Sequence, residues 1–177
     1  ARYEAGVVVY LPCNITALNI GPDGRFGTGV ARTGSASTFP WHTGVDLNAN
    51  DGVHGGDPVF SVADGIVSYS GWSTSSNYGN WIEIEHIDAN GRKTGWKTRY
   101  CHLQKNSLHV RAGERVPAGP HIAAVGTTSA RRSDMGYHLH FELRFPSALP
   151  DRSEEDKAER QSQQRRFGHV VCRNRQY

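Results

Sequence analysis

Two histidines separated by a single residue, His138 and His140, are the first candidates for chemistry in this 177-residue chain. The surrounding residues 136–142 (GYHLHFE) predict a strand, in which side chains alternate between two faces. Both imidazoles therefore point to one side, whereas Leu139 and Phe141 point to the other. Two neutral imidazoles on one side can bind zinc, or divide the work between metal ligand and proton carrier.

Two further segments offer partners for this pair. In the first (HTGVD), His42 precedes Asp46 by four residues, a spacing that puts both side chains on one face of an extended segment. In the second (RYCHL), His102 shares the parity of Tyr100, whose hydroxyl could add a hydrogen-bond donor. Three histidines and one aspartate in strand-like surroundings could hold zinc with one coordination position left open.

The order of these motifs resembles that of the LytM/lysostaphin-type zinc endopeptidases of the M23 family. The three motifs that carry the resemblance are HTGVD at 42–46, YCHL at 100–103 and HLHFE at 138–142. The linking segments that match are GDPV at 56–59, ADGIV at 63–67, YGN at 78–80, IEIEH at 82–86 and the paired VxxG turns within 110–119. The resemblance runs from about residue 39 to about residue 145 without a break in this order.

The resemblance implies a catalytic zinc (Zn2+) site. It assigns three residues as zinc ligands and two as the catalytic acid–base pair: His42, Asp46 and His140 as ligands, His102 and His138 as the pair. Two imidazoles and one carboxylate leave a fourth position for water, whose pKa the metal lowers. One histidine can then take the proton of the water, and its neighbour can stabilise the oxyanion or protonate the leaving amine. Which histidine plays which part stays open.

The function that this resemblance implies is a zinc metallo-endopeptidase that hydrolyses peptide bonds in the stem peptides or cross-bridges of bacterial peptidoglycan. Two alternatives stay open: a non-catalytic M23-like module that binds or activates wall enzymes, and a zinc protease that acts on Gly-rich proteins. The expected location is secreted, periplasmic or elsewhere in the cell envelope, and a phage-borne lysin is also compatible. The oligomeric state stays open as well.

Charge and hydropathy restrict the partners. The net charge is +3 and the sequence pI is about 8.9, which suits an anionic envelope. No dense cluster of Lys and Arg with interleaved aromatic residues indicates a nucleic-acid partner. No apolar run approaches the roughly 18 residues that a membrane span needs.

The composition and the alternation of residues predict a mainly β fold, with an antiparallel sheet and an active-site groove walled by loops. Hydrophobic content of 37% with 20 Gly and 8 Pro is typical of a turn-rich β protein. Period-two alternation predicts strands at residues 7–10, 58–62, 65–69, 80–87, 96–103, 121–125 and 138–144. Asn90 and Gly91 predict a hairpin turn between two central strands. Ser153 predicts the start of a short helix toward Arg166, whose charges are interpreted as a solvated face.

One structural domain in three parts is expected. Residues 1–38 form an N-terminal strand and an irregular arm, residues 39–145 the M23-like core, and residues 146–177 a C-terminal extension with a helix. Two departures from the family pattern lie beside the predicted ligands, namely the longer, charged loop at 127–135 and Tyr137. Both are expected to affect substrate choice more than metal binding.

The other polar candidates receive structural interpretations. His86 is expected to have a structural hydrogen-bonding role, and Glu142, although it shares the parity of His140, is not the catalytic base of the family. Cys101 is expected to be a buried free thiol. Cys13 and Cys172 leave open a disulfide between the ends of the domain. Four histidines are expected at the surface or in turns, namely His54, His109, His121 and His169.

Overall fold

Short antiparallel strands and one helix make up the protein. The computed structural model describes residues 9–10, 12–13, 18–19, 26, 41–49, 55–73, 76–130, 133–150, 153–167 and 172–173. The elements in chain order are β1 (Val9–Tyr10), β2 (Leu18–Asn19), β3 (Val45–Ala49), β4 (Pro58–Phe60), β5 (Gly65–Trp72), β6 (Asn80–Ile87), β7 (Lys93–Leu103), β8 (Arg115–Val116), β9 (His121–Ala124), β10 (Leu139–Arg144), α1 (Glu154–Phe167) and β11 (Cys172–Arg173). The prediction of a mainly β fold with a short C-terminal helix is confirmed.

The main sheet has seven strands in the order β2-β3-β10-β7-β6-β5-β8. Every neighbouring pair in it is antiparallel. β4 and β9 form a second antiparallel pair, and β1 pairs with β11 in parallel. The predicted hairpin joins β6 to β7, and Gly91 in its turn has a positive φ of 77°, which glycine adopts without steric cost. The antiparallel sheet predicted from the alternation is therefore confirmed.

The predicted strands appear with shifted ends. β6 has the predicted bounds, β5 continues as far as Trp72, and β7 begins earlier, at Lys93. The strand predicted at 7–10 is seen at Val9–Tyr10, and residues 7–8 lie outside the described part. Three observed strands of two residues were not predicted, nor was β3, whose partner β10 is remote in sequence.

One face of the main sheet packs on the core and the other is polar. On β6, Ile82 and Ile84 are wholly buried in the core, and they alternate with Glu83 on the polar face. On β10, Leu139 lies in the core and Phe141 packs against it, which confirms the predicted orientation of that strand. Burying side chains of this size stabilises the fold by about 1.5–3 kcal/mol each. The core therefore stabilises the sheet on the side opposite its polar face.

His86 lies within the core. Its ring stacks on Trp96 with 4.0 Å between centroids, and its nitrogens lie 3.1 Å from the carbonyl oxygen of Asp64 and 2.7 Å from Oγ1 of Thr98. Burial lowers the pKa of His86 to about 4, against the opposing effect of hydrogen bonds to backbone carbonyls. The structural interpretation of this histidine is confirmed.

The helix α1 begins as the sequence predicts, but its packing differs from the prediction. Oγ of Ser153 accepts a hydrogen bond from the backbone N–H of Asp156 at 2.9 Å, which caps the first turn. Asp156 and Arg160 are almost completely buried, so the interpretation of the helix charges as a solvated face is wrong for these two residues. At 14 residues and with this composition, α1 cannot cross a membrane, and the described part of the chain has no helix that could.

The structure also shows the environment of two cysteines and of two further histidines. Cys101 is a free, fully buried thiol, as predicted. Cys13 is a free thiol as well. The side chain of Cys172, the other half of the disulfide that the sequence left open, lies outside the described residues. His109 and His121 are exposed, as expected, with their rings 4.8 Å apart. The other two predicted surface histidines, His54 and His169, lie outside the described residues.

Candidate metal centre

Three polar side chains meet on the polar face of the sheet, where β3 pairs with β10. Asp46 and His140 are direct register partners of these two strands, and His42 lies in the loop just before β3. Nδ1 of His140 is 2.9 Å from Oδ1 of Asp46. Nε2 of His42 is 3.1 Å from that oxygen and 3.1 Å from Nδ1 of His140. The structure thus brings together the three residues that the sequence predicted as ligands.

The donor set fits a zinc ion. Tetrahedral zinc with bonds of roughly 2.0–2.1 Å separates its ligand atoms by about 3.3 Å. The three atoms here are 2.9–3.1 Å apart, so a small outward shift of the side chains would accommodate a metal. Two imidazole nitrogens and one carboxylate oxygen are ligands that zinc accepts, and three protein ligands leave one position open.

The charges of the cluster also favour a cation. Burial would raise the pKa of Asp46, but hydrogen bonds from His140 and His42 hold it well below its usual range. Burial would lower the pKa of His140, but Asp46 and Glu142 together raise it above its ordinary value. In the metal-free protein, the additional proton of His140 therefore supplies a positive charge between the carboxylates of Asp46 and Glu142. A metal at this point would replace that proton.

Glu142 orients His140 through the ring nitrogen that points away from Asp46. This glutamate is wholly buried and accepts a hydrogen bond from Nε2 of His140 at 2.9 Å. It also accepts hydrogen bonds from the hydroxyls of Tyr78, at 2.6 Å, and Thr43. Since Nε2 of His140 must carry its hydrogen toward Glu142, Nδ1 is the nitrogen that faces the cluster. Parity with His140 in the sequence was a signal for this contact, but its role as a support was missed.

His102 and His138 lie beside the cluster, with ring centroids 4.8 Å apart. Nδ1 of His102 donates to the carbonyl oxygen of Thr128 at 2.8 Å, and Nδ1 of His138 donates to that of Gly136 at the same distance. A carbonyl can only accept, so both hydrogens sit on Nδ1 and both Nε2 atoms keep a lone pair. Nε2 of His138 is 3.7 Å from Oδ1 of Asp46.

Both of these histidines are neutral near pH 7. Burial, followed by the neighbouring His138 and His140, lowers the pKa of His102 to about 3. Burial also lowers the pKa of His138, against the charge of Asp46. Two neutral imidazoles with free lone pairs beside a metal-binding cluster can accept and return protons.

The backbone at His102 explains why one sequence expectation is wrong. His102 has a φ of 62°, a left-handed conformation that is uncommon for residues other than glycine. This conformation breaks the alternation of β7, so His102 and Tyr100 do not share a face. Tyr100 points into the core, where its hydroxyl accepts a hydrogen bond from the backbone N–H of Val62 at 3.0 Å. Tyr100 therefore adds no donor to the metal centre.

Gly44 allows the loop of His42 to lie close against β10. A Cβ at this position would be 2.8 Å from Cγ of Glu142 and 3.0 Å from Nε2 of His140, and it would also collide with the carbonyl oxygen of Phe141. Real Cβ atoms essentially never approach other atoms to less than 3.0 Å, so the contacts with Phe141 and Glu142 would force the backbone apart. The glycine of the HTGVD motif is therefore needed for the close approach of the two segments that carry the cluster.

Comparison with known proteins identifies the family. Residues 40–153 match the sequence model of Peptidase family M23. The chain belongs to this family. In this M23 chain, the matched segment includes the three clustered residues and both neighbouring histidines, and it ends just before α1.

Relatives of this M23 chain include a cell division protein and a murein hydrolase activator. The cell division protein DipM of Caulobacter vibrioides is 30% identical over 65% of this chain and 19% of its own length. The murein hydrolase activator NlpD of Salmonella typhimurium is 28% identical over 80% of this chain and 37% of its own length. The chain thus spans less than two fifths of either relative.

Solved structures agree with the family. The catalytic domain of lysostaphin from Staphylococcus simulans is 27% identical and superposes with a TM-score of 0.51, covering 66% of this chain and 76% of that domain. A zinc-containing peptidase from Vibrio cholerae is 30% identical with a TM-score of 0.53, covering 83% of this chain and 41% of that protein. The antiparallel sheet is the fold of M23 catalytic domains.

Proposed function

We propose that this chain is a zinc metallo-endopeptidase that hydrolyses peptide bonds of bacterial peptidoglycan. His42, Asp46 and His140 would hold the zinc ion, and His102 and His138 would form the acid–base pair. The observation that carries this proposal is the complete set of five side chains on one face, with both Nε2 lone pairs of the pair free to take a proton. A module that only binds other proteins has no need for this arrangement.

The residues of the chain have distinct tasks in this reaction. Zinc, when bound, supplies Lewis-acid polarisation of the scissile carbonyl and lowers the pKa of water. His102 is the more buried of the pair and is held by Thr128, so we assign to it the removal of the proton from water. His138 is more accessible, and its Nε2 lies 3.7 Å from Oδ1 of Asp46, so we assign to it the stabilisation of the developing oxyanion or the return of the proton to the leaving amine.

The substrate class rests on the relatives. Lysostaphin is named as an antimicrobial peptidase, and the Salmonella relative is named as a murein hydrolase activator. Murein is peptidoglycan, and both names favour the bacterial wall as the place of action. The mildly basic charge of +3 suits an anionic envelope, so we place the protein in the periplasm, in the cell envelope or outside the cell.

A second candidate function is that of an activator without hydrolytic activity of its own. The name of the Salmonella relative favours it, as does the match with DipM, a cell division protein. In such a module, loss of a ligand would leave the function intact. The five side chains are all present here, which weighs against this candidate. Cleavage of Gly-rich proteins is a third use to which the same site could be put.

One experiment separates the three candidates. Zinc-loaded protein is incubated with purified sacculi and, separately, with Gly-rich peptides, and the products are identified by mass spectrometry. Muropeptides cut within stem peptides or cross-bridges would support the proposal, whereas cleavage of the peptides alone would favour the protease. If neither is cut, a third mixture of sacculi, this protein and a murein hydrolase tests for activation. Release of wall fragments only in that mixture would show that this chain is an activator and not the hydrolytic enzyme that we propose.

The assignment of roles has a separate test. Alanine at any of the predicted ligands should empty the site, because a three-ligand site that lacks one ligand is badly weakened. Alanine at either member of the acid–base pair should leave about one zinc per chain but slow hydrolysis by roughly 10²–10⁴-fold. Metal analysis by mass spectrometry beside a wall-lysis assay measures both effects. A metal-free His102→Ala, or a zinc-loaded and active His140→Ala, would contradict the assignment.

A further inference from the structure

The C-terminal helix α1 packs against the metal centre although it lies beyond the segment that matches the family. The match ends at residue 153, and α1 spans Glu154–Phe167. Among the side chains of α1 that the structure describes, the apolar Ala158 is exposed, whereas Asp156 and Arg160 are 0% and 1% exposed. Apolar burial therefore does not hold this part of the helix on the domain. Its buried charged residues must make the contact.

Arg160 contacts both neighbours of His42. Its Nη2 donates a hydrogen bond to the carbonyl oxygen of Thr43 at 2.9 Å. Its guanidinium carbon lies 5.2 Å from the ring centroid of Trp41 and 5.1 Å from that of Phe26, within the range of cation–π attraction. One side chain thus holds the residue before and the residue after a predicted zinc ligand.

The contact continues to a second predicted ligand. The hydroxyl of Thr43 donates to Glu142, and Glu142 accepts the hydrogen bond of Nε2 of His140. The loop at 41–44 has no regular secondary structure, so the sheet alone does not set the orientation of His42. Arg160 fixes the carbonyl of Thr43 while Glu142 fixes its hydroxyl. The loop is therefore held between the helix on one side and β10 on the other.

We propose that Arg160 is a positioning residue of the metal centre and that α1 is part of the support of this site. This inference rests on the proposed zinc site. Metal affinity depends on partners that orient the ligands, and loss of such a partner typically weakens it about 10- to 100-fold. Arginine suits the task because its planar, permanently charged guanidinium can stack on Trp41 and donate to Thr43 at once.

The test compares variants of the full chain for zinc affinity, measured by competition with a fluorescent chelator and without any substrate. Arg160→Gln should weaken zinc binding by about 10- to 100-fold. Arg160→Lys should lie in between, because lysine keeps the charge but lacks the planar fork. Lys157→Gln is the matched control, because it removes a positive charge from the same helix. The ion pair of Lys157, at 3.7 Å, is with Glu154 on that helix. It should stay within about twofold of the wild type.

Unfolding of the metal-free variants in urea separates positioning from general stability. If Arg160→Gln unfolds more easily but binds zinc as tightly as the wild type, Arg160 holds the helix only and the inference is wrong. An equal loss of affinity in Lys157→Gln would also overturn it, since charge alone would then explain the effect. Should Arg160→Gln fail to fold, the comparison of Arg160→Lys with the wild type decides. A wild-type chain that binds no zinc would instead contradict the proposed function.

Discussion

Replacing Glu142 by glutamine should weaken zinc binding although this residue is not itself a predicted ligand. Oε1 of Glu142 faces three donors, among them Nε2 of His140 at 2.9 Å. Oε2 faces the guanidinium groups of Arg144, at 3.3 Å, and Arg99, at 3.6 Å. Hydrogen bonds and positive charge from His140, Arg99 and Arg144 keep the pKa of this buried carboxyl well below its usual range, although burial alone would raise it.

A glutamine has the same shape but cannot satisfy both sides. If its oxygen faces His140, its amide N–H groups point at the two arginines, so donors meet donors. If its amide group faces His140, Nε2 must accept, the hydrogen moves to Nδ1, and Nδ1 can no longer bind a metal. Either orientation costs zinc affinity, and we expect a loss of about 10- to 100-fold, which is roughly 1.4–2.7 kcal/mol.

The same substitution should lower the stability of the metal-free protein. Removing one partner of a buried ion pair typically costs about 3–5 kcal/mol. Arg99 keeps a second partner, because its Nε lies 2.7 Å from Oε2 of Glu83, so we expect the lower end of this range. The matched control is Glu85→Gln, which breaks a pair with the largely exposed Lys93 and should cost about 0–1 kcal/mol.

Two measurements check the prediction for Glu142→Gln. Zinc affinity is obtained by chelator competition, and the free energy of unfolding is obtained from urea denaturation of the metal-free protein. The tautomer of His140 can be observed through its ring nitrogens by NMR in the wild type and the variant. If Glu142→Gln binds zinc within about twofold of the wild type, the reasoning about the orientation of His140 is refuted.

Three further predictions test other parts of the structure. Gly44→Ala should lose zinc in metal analysis because its Cβ would collide with β10, whereas Gly136→Ala, with no atom within 4 Å of its Cβ, should keep it. Tyr100→Phe should lower the free energy of unfolding by about 1–3 kcal/mol, since the N–H of Val62 loses its acceptor, but leave kcat unchanged. His86 has a folded pKa of about 4, below the ordinary value of about 6.5, so its contribution to stability is full above pH 6.5 and is lost as the pH falls toward 4. The loss reaches about 3 kcal/mol, and urea unfolding of His86→Leu should lack this part of the pH dependence.

The sheet was predictable where alternation is strong and local. Residues 80–87 alternate apolar and polar side chains throughout, and β6 has those bounds. The strand β3 (Val45–Ala49) escaped prediction because its ladder is formed with β10, about ninety residues away along the chain. Strand pairing between remote segments is decided by tertiary packing, which a single local pattern does not contain.

The residues of the metal centre were predictable from spacing and resemblance, but their supports were not. Spacing paired His42 with Asp46, and the family resemblance added His140 to them as a ligand. The structure brings these three residues together. Arg160 belongs to a helix with almost no apolar residues, so its sequence looks like a solvated segment. Its burial depends on Trp41 and on the loop beside it, which is information that only the three-dimensional structure holds.

The loop at 127–135 and the residue after it supply the carbonyl groups that orient both histidines of the predicted acid–base pair. Thr128, near its start, accepts the hydrogen bond of His102, and Gly136, just after its end, accepts that of His138. Thr128 is itself fixed to the sheet, since its hydroxyl donates to the carbonyl of Leu103 at 2.6 Å. The carbonyl groups of Thr128 and Gly136 therefore determine which nitrogen of each histidine carries the hydrogen. In the tautomer observed, the lone pair of each histidine is on Nε2. The opposite tautomer would move that lone pair to Nδ1, which faces a carbonyl group, so these two carbonyls set the proton chemistry that we propose for the pair.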